Sequence, residues 1–298
     1  MVMMMTLLVF LGEKAWSSPK IVKPENKKDV TWDAVTLRGL KSSCAALMDA
    51  ESGELLEGYD AGKKMYPASL TKIMTAVLAA ERTDNLEETI TLPSDFFQKL
   101  YEENASMAGF EPGEQVRLKD LLYGILLPSG AECCMAFAER IAGSEEGFVE
   151  LMNEKARELG MENTHFCNST GLHEADHYST AEDIAVLLQY AVKNEAFRAA
   201  FTSRSYSTLP SGVHPEGFTF TSTMFQHLDG TEVSGGEILG GKTGYTPEAG
   251  LCLASLAEVS GREYILVTAG AEGNHETEPY HILDAVEVYN RIGEISEL

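Results

Sequence analysis

Apolar residues recur along this chain with two periods, and the change from one to the other divides it. Ile73, Met74, Val77 and Leu78 fall at helical spacing behind Pro67, which predicts a helix beginning at Ser69. Residues 118–127 continue that period up to Pro128, and a further helix is expected from about 130 to 141, closed by Gly143. Ser144-Glu145-Glu146 supplies a cap and first-turn acids for the next, whose one side carries Phe148, Leu151, Met152, Ala156 and Leu159. Ser179-Thr180-Ala181-Glu182 reads as a capping box ahead of Ile184, Leu187, Leu188 and Ala191. Period two appears at the two ends. Residues 43–49 and 53–59 read as a hairpin, and after Phe201 strands are expected at 206–209, 219–223, 237–240, 251–259 and 263–269. The last two are apolar on both faces, so they are expected to be central and covered on both sides. Residues 280–292 form a closing helix with Ile282, Leu283, Val286, Tyr289 and Ile292 as its apolar set. The stretch 84–117 is turn-rich, and no element is placed there. This pattern predicts an α+β fold: one antiparallel sheet built from both chain ends, with an all-helical lobe at about 84–200 inserted in it.

Composition narrows the partners. The 298 residues carry 46 acidic and 23 basic side chains, a formal charge of −23, so no phosphate-neutralising surface for nucleic acid can be assembled and adhesion to an anionic membrane is disfavoured. The five cysteines show no metal-ligand spacing and read mostly as buried free thiols. Residues 2–11 are apolar, with no Lys or Arg ahead of them, and are too short to span a bilayer. They read as the remnant of an export signal, followed by a polar linker at 14–35. The domain reading is therefore 1–40 for remnant and linker and 41–298 for one domain.

Three short motifs fall in order: Ser69-Leu70-Thr71-Lys72, Ser129-Gly130-Ala131 and Lys242-Thr243-Gly244, at intervals of 60 and 113 residues. Lys72 lies about 60° around the helix from Ser69, so its amine can reach the serine hydroxyl. A serine attacks only once a base takes its proton, and a lysine is that base only if burial or a nearby cation lowers its pKa; Lys242 offers such a cation. Each motif alone has a plainer reading: a capped helix with a surface lysine, a serine helix cap, and a flexible lysine in a turn at a strand end. Together they describe a serine nucleophile with a lysine-based proton relay, in which Ser129 passes a proton between Lys72, Lys242 and a leaving amine. Thr243 and Lys242 would hold a substrate carboxylate, the glycines of 240–244 would let a substrate backbone lie along the strand edge, and the backbone N–H groups of Ser69 and Tyr245 would form an oxyanion hole. His165, His173 and His177 share one polar loop but have poor spacing for zinc and read as loop structure.

Several blocks of residues resemble the D-alanyl-D-alanine carboxypeptidases, low-molecular-mass penicillin-binding proteins of the serine peptidase kind. They are residues 67–75 around Ser69, residues 126–130, residues 138–144, the stretch 164–172, and residues 241–246. The resemblance runs from about 45 to 290. It implies a β-lactamase/penicillin-binding transpeptidase-like fold, a site between two lobes, and no metal or cofactor. It also implies removal of the terminal D-alanine from peptidoglycan stem pentapeptides outside the cytoplasmic membrane, through an acyl-serine, with β-lactams as inhibitors. On that reading Ser69, Lys72 and Ser129 are catalytic and Lys242, Thr243 and Gly244 bind substrate. Ala131 departs from the pattern, which usually has an asparagine there to hydrogen-bond the substrate amide. The β-rich second domain and C-terminal amphipathic anchor of many relatives have no counterpart before Leu298, so no membrane anchor by that route is expected. The alternatives are a β-lactamase, or a catalytically weak penicillin-binding or cell-wall-sensing protein.

Overall fold

A computed structural model describes residues 35–296. The expected export-signal remnant and almost all of the linker lie outside that range. Val35 and Leu37, ahead of the boundary at 40, are fully buried, so chain from at least residue 35 belongs to the core.

The two ends of the described chain meet in one sheet. β1 (Cys44–Asp49) and β2 (Leu55–Tyr59) form the hairpin, and the later strands are β7 (Glu232–Val233), β8 (Gly236–Thr246), β9 (Gly250–Val259) and β10 (Arg262–Ala271). Their order is β2-β1-β10-β9-β8-β7, antiparallel throughout. Alternation decides which face each side chain joins. Ala46 and Met48 of β1, Cys252, Ala254 and Leu256 of β9, and Ile265, Val267 and Ala269 of β10 enter the core shared with the helical lobe. Ala45, Leu47, Leu253, Ala257, Val259, Tyr264 and Leu266 enter a second core under α8 (Tyr280–Ser296). β9 and β10 are thus covered on both sides, as their unbroken apolar runs predict. Tyr289 of α8 is fully buried, and its hydroxyl meets Ser255 Oγ at 3.0 Å.

Between the hairpin and β7 lie α1 (Thr71–Glu81), β3 (Thr89–Thr91), α2 (Phe97–Glu102), β4 (Gln115–Arg117), α3 (Leu118–Leu126), α4 (Ala131–Ala142), α5 (Glu145–Glu158), α6 (Ala181–Ala191), α7 (Glu195–Phe201), β5 (Ser205–Ser207) and β6 (Thr219–Thr221). The stretch expected to be all-helical therefore also holds a two-stranded ribbon, β3–β4. Three-residue strands contain too few positions for a period to show, and the same holds for the six residues of α2.

Two expected caps shift. Thr180, not Ser179, caps α6 by accepting from the Asp183 amide at 3.0 Å, while Ser179 Oγ pairs with Thr164 Oγ1 at 2.7 Å. Ser129 caps nothing: Gly130 is the residue ahead of α4, and Ser129 sits in the left-handed region at φ 71°. Ser144 caps α5 as expected, accepting from Gly147 at 3.1 Å. Lys242-Thr243-Gly244 lies inside β8, not at a strand end.

Candidate active site

α1 is preceded by a tight turn, Ala68–Leu70, and Ser69 sits in that turn with Lys72 one turn on. The helix register brings Lys72 Nζ to 3.1 Å from Ser69 Oγ. The same amine donates to Thr170 O at 2.6 Å. Across the cleft, Lys242 Nζ donates to Ser129 Oγ at 2.9 Å and to Thr243 O at 2.8 Å. The structure therefore makes two hydroxyl–amine pairs, one within a helical turn and one across 113 residues. The hydrogen bonds of Lys242 go to Ser129 and its own strand, not to Ser69.

Both lysines are buried, at 2% and 0% exposure, while Ser69 is half-buried. No carboxylate is hydrogen-bonded to either amine among the described residues. Burial holds the Lys72 ammonium below its ordinary pKa. Burial pushes Lys242 well below it too, and the neighbouring charge of Lys72 adds to that. From the sequence alone, either burial or a nearby cation such as Lys242 could depress Lys72. In the structure burial is the leading cause at both amines, because two side chains this enclosed lose most of their hydration.

Backbone strain gathers here. Among the described residues five non-glycines have positive φ; of these Asn104 and Ser129 line the cleft, and Ala68 stands next to Ser69 in its turn. A non-glycine held left-handed costs on the order of 1–3 kcal/mol and persists where its surroundings over-determine it. For Ser129 the determinant is visible. Ala131 N donates to Ser106 O at 2.8 Å, and Glu132 Oε1 accepts from the amides of Ala108, Gly109 and Phe110 at 2.7, 2.9 and 3.3 Å. Glu132 is fully buried, and burial raises its pKa against the pull of those amides. It anchors the loop that forms one cleft wall.

β8 touches β7 only at Gly236 and Glu237, so from Ile238 onward its outer edge has no strand partner among the described residues. A Cβ on Gly244 would stand 3.1 Å from Ser69 N and 3.3 Å from Leu70 N, so β8 packs against the turn bearing Ser69 at the residue before Tyr245. Thr243 Oγ1 is held by Thr223 Oγ1 at 2.6 Å.

Two cavities meet at Ser69. One, about 200 Å³, is lined by Ser129, Thr223, Thr243 and Gly244; the other, about 480 Å³, by Lys72, Ala131, Thr170 and Gly171. Ser69, Ser106, Tyr245 and His275 border both. A larger cavity of about 780 Å³ lies off the serine and shares only Pro247 and Glu248 with the second.

Sequence reasoning misses the supports. Thr170, Ser106, Thr223 and Glu132 carry no motif of their own, and the stretch 164–172 stands out only as a block without roles. His177 is the clearest case. Its Nδ1 accepts from Cys167 N at 3.1 Å, so its Nε2 carries the proton and donates to Thr71 Oγ1 at 2.7 Å. The loop histidine thus pins α1 beside Lys72. His165 bonds Asp176 O at 2.7 Å, and His173 lies edge-on to Tyr66. The five cysteines are unpaired, four of them buried.

Comparison with known proteins points one way. A family model described as D-alanyl-D-alanine carboxypeptidase matches residues 31–273. The D-alanyl-D-alanine carboxypeptidase DacF of Bacillus subtilis is 36% identical over 236 residues, 78% of this chain and 58% of that protein. The D-alanyl-D-alanine carboxypeptidase of Streptomyces sp. strain K15 is 30% identical over 239 residues, 78% of this chain and 81% of that protein. The crystal structure of the Streptomyces K15 DD-transpeptidase matches with a TM-score of 0.76 at 26% identity, over 86% of this chain and 98% of that one. The chain spans little more than half the length of the Bacillus relative.

Proposed function

This chain belongs to the D-alanyl-D-alanine carboxypeptidase family, and from that premise we propose that it is a serine-type carboxypeptidase that removes the terminal D-alanine from peptidoglycan stem pentapeptides. The observation that carries the reading is the 3.1 Å contact between Ser69 Oγ and a buried, pKa-depressed Lys72 amine at the junction of two cavities. An ordinary lysine is neutral in only about one molecule in 2,500 at pH 7, so the depression is what makes it a base.

On this reading Lys72 takes the Ser69 proton as Oγ attacks the penultimate carbonyl. The amides of Ser69 and Tyr245 stabilise the oxyanion, each donor being worth about 2.7–4 kcal/mol. Ser129, held by Lys242, hands its proton to the departing D-alanine amine and is reprotonated by the Lys72 ammonium, which becomes a free amine again. Water then attacks the acyl-serine, giving its proton to Lys72, and Lys72 returns that proton to Ser69 Oγ as the shortened peptide leaves. The bare edge of β8 offers the acyl portion a strand to pair with, and Thr243, fixed by Thr223, offers a hydroxyl to the terminal carboxylate. β-Lactams would acylate the same serine. Since the polymer lies outside the cytoplasmic membrane, the protein would act there.

Incubation with a stem pentapeptide tests this. D-Alanine is released by the parent chain and not by Ser69→Ala, and intact mass spectrometry after a fluorescent penicillin finds one adduct, lost in the same variant. A well-folded parent that releases no D-alanine refutes the reading. Rapid turnover of the penicillin in place of an adduct would make it a β-lactamase.

A further inference from the structure

The two cavities that meet at Ser69 differ in charge. Glu103 and Glu248 border the larger, beside Lys72. Among the described residues no Asp, Glu, Lys or Arg lines the smaller; its titratable groups are three imidazoles, His227, His275 and His281, and the Tyr245 phenol. The three do not converge as a metal site. His281, at the start of α8, is 5% exposed, and its Nδ1 is buried without a hydrogen-bond partner. Such an orphan costs about 1–3 kcal/mol unless something in the cavity meets it. His227 and His275 are solvent-facing, and His275 lies edge-on to Tyr245 with ring centroids 4.9 Å apart.

A peptide cut at Ser69 ends in a free carboxylate on its leaving residue. That anion is repelled by Glu103 and Glu248 on one side and meets only neutral or cationic groups on the other. The motif pattern points to Lys242 as its charge partner, but the Lys242 amine is turned into the protein, onto Ser129 and Thr243 O, and burial holds it well below its ordinary pKa. We propose that His227 and His275, backed by the buried imidazole of His281, form the carboxylate-binding wall of this cleft and supply its positive charge.

This rests on the proposed peptidase reading and deepens it. The other charged groups on the same segments, Asp229 after His227 and Glu272, Glu276 and Glu278 around His275, do not line the cavity. Burial pushes His281 down to about 4, helped by the nearby charges of His227 and His275, so it meets the ligand as a neutral imidazole. An imidazolium carries a positive charge that a neutral imidazole lacks, so the attraction of this wall for a carboxylate strengthens as the solution is made more acid.

The test is binding to the full chain carrying Ser69→Ala, followed by NMR of the histidine ring protons and by titration calorimetry. The probes are an N-acyl-D-Ala-D-Ala and its C-terminal amide. The acid is expected to raise the titration midpoints of His227 and His275, by linkage, and to bind about five-fold more weakly at pH 8 than at pH 5.5. The amide should do neither. His275→Gln should remove most of the pH dependence, and His275→Lys should restore tight binding at pH 8. In the active parent the same trend should fall on KM more than on kcat. Equal affinity for acid and amide, affinity for the acid that ignores pH, or no binding of the acid at either pH would overturn the proposal. Absent D-alanine release with pH-dependent carboxylate binding intact would instead sink only the peptidase reading.

Discussion

Replacing Gly171 by alanine is expected to damage catalysis as well as folding. Gly171 has φ +84°, and a Cβ there would stand 1.9 Å from Ala68 O, 2.5 Å from Ala68 C and 3.0 Å from Ser69 N. Contacts of that kind need more than 3 Å, so the Ala68 carbonyl must withdraw by about 1 Å, and the next residue is Ser69. The left-handed conformation by itself costs alanine about 1 kcal/mol; relief of the clash adds about 1–3 kcal/mol, as in other overpacked sites. A displacement of about 1 Å at a reacting atom costs on the order of 100-fold in rate. Gly171→Ala should therefore lose about 2–4 kcal/mol in urea unfolding and about 100-fold in the rate of Ser69 acylation by a fluorescent penicillin. Gly143→Ala is the control. Gly143 ends α4 at φ +74° with nothing within 4 Å of an added Cβ, so it carries the strain without the clash. It should lose about 1 kcal/mol and acylate at the parent rate. If Gly171→Ala acylates within about three-fold of the parent, the argument that this glycine sets the position of Ser69 is refuted.

Three other outcomes follow from the same site. The rate of D-alanine release should rise with pH as Lys72 loses its proton, with a midpoint below the ordinary lysine pKa because burial lowers it; a midpoint near that of free lysine would contradict the assignment. Burial holds His177 down to about 4, with the charges of His165, His173 and Lys72 adding to it, so the folded state binds fewer protons than the unfolded one between pH ~6.5 and ~4. Stability should fall through that window by up to about 3 kcal/mol, and His177→Gln should flatten the loss in urea titrations at pH 7 and pH 4.5. Ala131→Asn should fold normally, since Ala131 borders the 480 Å³ cavity, and should raise kcat/KM for D-alanine release by about ten-fold; an unchanged rate would mean that the alanine is already accommodated.

The short-range chemistry of the site can be read from the residues alone. Ser69 and Lys72 are three positions apart, and helix geometry by itself sets their amine and hydroxyl near one another. The apolar runs of β9 and β10 require cover on both faces, and α8 and the helical lobe supply it. The ribbon β3–β4 and helices α2 and α7 leave no period long enough to read. Nor can the sequence show that Ser129 is turned left-handed and given to Lys242, that Glu132 gathers three amides of a loop more than twenty residues away, or that His177 braces Thr71. Those contacts join residues 22 to 113 apart, where closing a loop costs nearly the same free energy for many alternative pairings. Backbone geometry therefore writes the local half of the site into the order of the residues, while the packing of the lobe against the sheet chooses the distant partners and removes the water that would have held both lysines at their ordinary pKa.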